Sequence, residues 1–224
     1  MSGRADVDTV VLDLDGTLVD SVYVHVLAWQ AAFRDVGLHV PSHRLHPLIG
    51  MGGDRLVAAA AGDAVEQSLG DELRARHPQR LDELFGRIVP TEGAADLLET
   101  LKDHGVQLVI ASSSESELTD RLLDVLGEAR HHLSHVVSGA DAEESKPAGD
   151  LVSVALDGVD ASTAVLVGDS VWDVRAAHDA GIACVGVLTG GFSEAELREA
   201  GAVAVHDTPG ALAEHLRTTG SVLG

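Results

Sequence analysis

The chain has 224 residues, of which 36 are acidic and 15 are lysine or arginine, giving a formal net charge of -21 with 45% hydrophobic residues. That length and apolar share suit one sizeable core with a smaller satellite, while the charge repels polyanions and argues against nucleic acid as a partner. A single cysteine, Cys184, excludes an internal disulfide or a thiolate cluster, and with no long apolar run and no basic leader the expectation is a soluble, cytoplasmic protein with no membrane partner.

In chain order, residues 7–12 predict a strand that ends in Asp13-Leu14-Asp15-Gly16-Thr17. A strand tip delivers Asp13 and Asp15 to one side, and Gly16 lets the backbone turn so that amides face an anion. Taken alone, the pair also reads as a solvated Asp-Gly turn. Residues 19–89 hold no convincing strand. A helix over 21–36 carries an apolar face of Val22, Val26, Trp29, Ala32 and Phe33, and helical patterns follow over 56–69 and 71–88, punctuated by Gly and Pro. Beyond them, helices at 91–103, 115–126, 148–156 and 171–180 alternate with strands at 106–111, 135–137, 164–167 and 182–187, and 202–205 forms an edge strand. Cys184 reads as a small buried side chain of the 182–187 strand.

This alternation predicts an α/β fold, a Rossmann-like three-layer core with a mostly parallel sheet and an inserted α-helical cap domain. The core spans 1–18 and 90–224 and the cap 19–89, with short hinges near 18–20 and 88–92.

Four strand ends carry complementary polar groups, where ligands of such sheets bind. After Asp13 and Asp15 come Ser112-Ser113-Ser114, suited either to capping a helix or to holding an anion at its start. Lys146-Pro147 places a cation at an expected helix N-terminus, where it asks for an anionic partner. Gly168-Asp169-Ser170 is followed by Asp173, four residues after Asp169 and on the same side of a turn. Several carboxylates with oxygen neighbours make a hard site suited to magnesium. The 12 histidines, including the adjacent His131 and His132 and the group His39, His43 and His46, show no zinc-site pattern.

Asp13-Leu14-Asp15-Gly16-Thr17, Ser112, Lys146-Pro147 and Gly168-Asp169-Ser170 with Asp173 resemble the four ordered motifs of the haloacid dehalogenase-like hydrolase superfamily. The helical insertion resembles the cap of the branch containing phosphoglycolate phosphatase and beta-phosphoglucomutase. The resemblance implies Asp13 as a nucleophile that accepts a phosphoryl group and Asp15 as general acid and base. It implies magnesium held by Asp13, Asp15, Asp169 and Asp173, with Asp15 contributing its backbone carbonyl. Ser112, the amides of Ser113 and Gly16, and Lys146 would hold the phosphoryl oxygens. An acid at Asp15 suits an alkoxide leaving group, which needs a proton, and disfavours dehalogenation.

Asp20-Ser21, His25 and Trp29 resemble the hinge and first cap helix of the sugar phosphomutases, with Trp29 alternatively a packing residue of the cap. In the loop at 48–55, Ile49 and Gly53 stand where those mutases would have a lysine and an arginine. Gly52 and Gly53 suit a loop that contacts substrate or a plain turn, and Arg55 either substitutes for the missing cation or is solvated. The expected activity is therefore magnesium-dependent hydrolysis of a small phosphorylated metabolite, either phosphoglycolate or a sugar phosphate. A sugar phosphomutase and a noncatalytic phosphate-binding module are the alternatives, and monomer and weak homodimer are both open.

Overall fold

The computed structural model describes residues 7–141, 146, 149–157, 159 and 163–223. Strand β1 (Thr9–Leu12) is buried along its whole length, as its unbroken Thr-Val-Val-Leu run suits in a strand covered on both faces. The chain then leaves the sheet through helices α1 (Val22–Asp35), α2 (Ser42–Leu45), α3 (Gly53–Ala61) and α4 (Asp63–Asp82). It returns through α5 (Ala94–Asp103) to β2 (Gln107–Ala111), α6 (Ser116–Val125) and β3 (His135–Val137). Then follow α7 (Asp150–Asp157), β4 (Ala164–Gly168), α8 (Val171–Asp179), β5 (Ala183–Val187), α9 (Glu194–Ala200), β6 (Ala204–His206) and α10 (Pro209–Thr219).

The strands form one parallel sheet in the order β3-β2-β1-β4-β5-β6. Leu12 is level with Ile110 on one side and Val167 on the other, so the chain leaves three adjacent strands at almost the same height. The order reverses at β1, which opens a crevice at the carboxyl ends. Period-two alternation divides the sheet's side chains between its faces. Val10, Leu12 and Ile110 pack with Leu97, Leu122 and Leu216, while Val11, Val109 and Leu166 pack with Leu151, Val174 and Leu197. Cys184 is buried in this second layer.

The inserted helices form a cap with an apolar cluster of their own, centred on Trp29, Phe33, Leu45, Leu56 and Leu73. The two passages between cap and core run side by side. Val19 bridges both Asp15 and Pro90, Asp20 N–H donates to Val89 O, and Thr91 N–H donates to Leu18 O.

One cap boundary differs from the sequence expectation. The break expected after residue 69 falls instead at Gly62, whose φ of +92° ends α3, and α4 runs on through Gly70 and Pro78. Gly70 is not a terminator: a Cβ there would fall 2.5 Å from Glu66 Oε1, so the glycine makes room for a side chain of its own helix. Pro147, expected to open a helix, lies outside the described residues, and α7 begins at Asp150. Among the described residues, no helix is long and apolar enough to cross a membrane.

Candidate active site

Three buried carboxylates converge at the strand ends. Asp13 leaves β1 with its N–H donated to Val167 O at 2.9 Å, Asp169 follows β4, and Asp173 occupies the first turn of α8. Gly168 permits this approach, since a Cβ there would fall 2.4 Å from the Asp173 Cβ. Ser170 caps α8 and fixes Asp173: its Oγ and N–H donate to Asp173 Oδ2 at 2.6 and 3.1 Å. The other Asp173 oxygen accepts from Lys146 Nζ at 2.6 Å, and Lys146 also donates to Asp13 Oδ1. Thr17 Oγ1 donates to Asp169 Oδ1 at 2.8 Å.

The charges in this cluster do not balance. Burial pushes the Asp13 carboxyl up to about 7 against the pull of Lys146, with the Asp173 charge adding to the rise. Burial, then the charges of Asp13 and Asp173, push Asp169 well above the usual carboxylate range. Lys146 moves up despite its burial because Asp13 and Asp173 flank it.

Oxygens of Asp13, Asp169 and Asp173 lie within 4.8 Å of one another, the one such group among the described residues. Hard oxygen donors, three carboxylates against one ammonium, and two carboxyls driven up first by burial and then by neighbouring carboxylate charge together fit a divalent cation such as magnesium. Two glycines shape the space beside Asp169. A Cβ on Gly16 or Gly190 would fall 2.5 or 1.7 Å from Asp169 Oδ2.

Asp15 has a different environment, and its side chain stands apart from the carboxylate cluster. Its Oδ1 accepts from Ser21 Oγ at 2.5 Å and His25 Nε2–H at 3.0 Å, and its Oδ2 accepts from Ser114 Oγ at 3.0 Å. Burial opposes its charge, yet His25, Ser21 and Ser114 together hold the carboxyl down at about 2. His25 Nδ1 in turn lies 3.1 Å from His77 Nε2, a bond that carries one proton between the rings, and His77 stacks on Trp29 with centroids 4.3 Å apart. Burial, then His25, push the His77 ring well down, so it is neutral at neutral pH.

A cavity of about 430 Å³ separates core from cap. Asp13, Asp15, Ser113 and Ser114 form part of the core side; Trp29, Ile49, Met51 and Leu56, with Arg74 and His77, form most of the cap side. Three of the hydrogen bonds that cross between cap and core involve the loop after α2. His46 Nε2–H donates to Gly190 O at 2.9 Å, Trp172 Nε1–H to Pro47 O at 2.9 Å, and Ser113 Oγ to Gly50 O at 3.4 Å.

The remaining sequence candidates divide. Gly52 and Gly53 line the cavity, whereas Arg55 is not part of its wall. Trp29 both packs in the cap cluster and faces the cavity. Ser112 is fully buried, and its Oγ accepts from Ser114 N–H at 3.2 Å. The Gly16 amide, expected to face an anion, donates instead to Val19 O at 2.8 Å. Its φ of +85° closes the turn, so this glycine shapes the loop rather than offering an N–H.

The family model for haloacid dehalogenase-like hydrolases matches residues 7–181, and a second, HAD-hydrolase-like, matches residues 144–219. The chain belongs to the haloacid dehalogenase-like hydrolase family. A phosphoglycolate phosphatase of Caulobacter vibrioides is 33% identical over 205 residues, covering 87% of this chain and 84% of that protein. A hydrolase from Pseudomonas syringae superposes with a TM-score of 0.88 at 31% identity, over 94% of this chain and 98% of that one. The beta-phosphoglucomutase of Clostridium difficile shares the fold, with a TM-score of 0.78 at 17% identity over 91% and 92% of the two chains.

Some roles and residues of this hydrolase's site are not legible in the motifs. Ser114 reads as an anion holder or helix cap and Ser21 as part of the hinge, but both donate to Asp15. Arg74 and His77 are three apart on α4, the spacing of one helix face, yet nothing local says that this face meets a cavity. Gly190, packed against Asp169, follows β5 in a Gly-Gly pair whose signal was the pair itself.

Proposed function

We propose that the protein is a cytoplasmic, magnesium-dependent phosphatase that hydrolyses a small phosphate monoester through a phosphoryl group carried by Asp13. The observation that carries this reading is the division between the two aspartates: Asp13 sits in the buried cluster with Lys146, and Asp15 stands outside it under three donors. A divalent cation held by Asp13, Asp169 and Asp173 supplies charge neutralisation for the phosphoryl oxygens. Lys146 holds Asp13 in place and adds a positive charge beside the attacked phosphorus. Ser112 and Ser113 offer the strand-end groups for the other phosphoryl oxygens.

Asp15 is ionised in the ligand-free protein, a state suited to taking a proton from water in the second half of the reaction. An arriving phosphoryl dianion raises its proton affinity, which suits the first half, when the leaving oxygen needs a proton. His25 aims the carboxylate, and His77 fixes the ring of His25.

The cap wall favours hydrolysis over phosphoryl shuttling between two sites on a sugar. A second phosphate needs cations opposite Asp13, and the described cap wall has one, Arg74, already paired with Glu66 and Asp71.

The test is a screen of purified protein with magnesium against phosphorylated metabolites, phosphoglycolate and sugar phosphates included, measuring phosphate and isomers. Phosphate release that falls by more than about 10⁴-fold in Asp13→Asn is expected. Undiminished release by that variant overturns the nucleophile assignment, and isomer formation dependent on a bisphosphate activator, without net phosphate, overturns hydrolysis.

A further inference from the structure

The charged groups on the cavity wall are unevenly distributed. Asp13, Asp15 and Glu115 are acidic, and Arg74 is the one lysine or arginine among the described lining residues. Besides His25 and His77, the rest of the cap side is largely apolar or bare: Trp29, Ile49, Met51 and Leu56 line it, and Gly52 and Gly53 add only backbone. A Cβ on Gly53 would lie 3.4 Å from Arg74 Cγ and 3.5 Å from Trp29, so the arginine stem packs over this stretch of backbone.

The guanidinium is held in place without being used up. Nη1 donates to Glu66 Oε1 at 2.7 Å and to Gly53 O at 3.4 Å, and Nη2 donates to Asp71 Oδ1 at 2.8 Å. The two partners differ in kind. Glu66 is partly buried and fixes the direction of the side chain, whereas Asp71 is fully exposed, and a water-exposed pair of this sort is weak and exchangeable. A guanidinium carries five N–H groups, so it retains donors beyond these contacts, and its planar fork matches a carboxylate. Apolar surroundings strengthen such a pairing.

We propose that Arg74 is the specificity-determining residue of this site and that it reads a carboxylate on the end of the substrate remote from the phosphoryl group. The proposal rests on the phosphate-ester reading, in which the phosphorus meets Asp13 and the rest of the molecule extends toward the cap. A carboxylate brings one charge to one exchangeable arginine. A second phosphate brings about two, with Glu66 still drawing on the same cation.

The test compares two esters of the same frame, phosphoglycolate and 2-hydroxyethyl phosphate, which differ in having a carboxylate or a neutral alcohol. Calorimetric titration into magnesium-loaded Asp13→Asn protein measures binding without turnover. The expected preference is for phosphoglycolate, reduced about 10- to 100-fold by adding Arg74→Gln, the range for a hydrogen-bonded charge. Asp71→Asn, a change at an exposed position, is expected to raise the preference about two- to five-fold by freeing the guanidinium.

An absent preference, binding of neither ester, or a preference unchanged in both variants overturns the assignment. If circular dichroism shows Arg74→Gln unfolded, the Asp71→Asn measurement decides: a rise supports the proposal and no rise overturns it. Phosphate release by the unsubstituted protein separates the two readings. Arg74-dependent binding without release from any ester defeats the phosphatase reading alone, and release with a preference indifferent to Arg74 and Asp71 defeats this one alone.

Discussion

The core wall of the cavity is held together by buried charge, and the cap wall by apolar packing around one accessible arginine. Lys146 and Arg74 mark the contrast. Lys146 is fully buried and bonds two carboxylates that are themselves buried. Arg74 remains partly exposed, and one of its two carboxylates faces open solvent. Buried ions cannot fall back on water when a partner is lost, whereas exposed ones can. The core wall is therefore rigid and intolerant, as a reaction centre must be, and the cap wall is free to vary with the substrate.

The same change applied to each wall gives the sharpest test of this contrast. Lys146→Met is expected to lower unfolding free energy by about 3–5 kcal/mol, because it leaves buried carboxylates without their cation. Arg74→Met is expected to cost less, about 1 kcal/mol, since Asp71 is fully exposed and Glu66 only partly buried. Denaturant unfolding of the two variants under identical conditions measures both. Equal losses would erase the distinction between the walls.

The core wall was legible in the sequence because each of its chemical groups follows a strand, and a parallel sheet brings strand ends together whatever the intervening chain does. Asp13, Lys146, Asp169 and Asp173 span 160 residues of sequence and still meet on that account. The cap wall had no such device. His77 reaches His25 from a helix 52 residues away, through the packing of α1 on α4, and the Gly70 that reads as a break lies inside α4. Arg55 is the nearest cation in sequence to the positions where a mutase would carry a lysine and an arginine, but Arg74 faces the cavity because α4 lies against that loop. Hydrogen-bond direction was equally invisible: nothing in Asp-Gly-Thr says that the glycine amide turns back to Val19.

A second test concerns the core wall alone. Magnesium is expected to raise stability, by about 2.7 kcal/mol at a hundred times its dissociation constant, because it binds the folded site and relieves repulsion among three carboxylates. Asp169→Asn replaces with a neutral amide a carboxyl whose charge is disfavoured by burial and by Asp13 and Asp173. That variant is expected to melt higher than the unsubstituted protein without metal and to lose the magnesium response. A thermal shift that survives the substitution would place the cation elsewhere.

The smallest expected effect lies where the two walls touch. Trp172 stands between Ser170 and Asp173 of the core cluster, yet its indole N–H donates to Pro47 O of the cap. A Cβ on Gly50 would come within 3.1 Å of the same ring, so the cap loop rests on the residue beside a candidate metal ligand. Trp172→Phe keeps a ring against the loop, and against Arg175 behind it, and deletes one neutral hydrogen bond. Such a bond contributes about 1 kcal/mol, or roughly five-fold in an equilibrium between closed and open cap. If the indole acts on the cap, KM for the ester rises by about that factor and kcat stays within two-fold, because the chemistry of the closed state is untouched. If kcat falls while KM holds, the ring acts instead by positioning Asp173, and the boundary between the two walls has to be redrawn through α8.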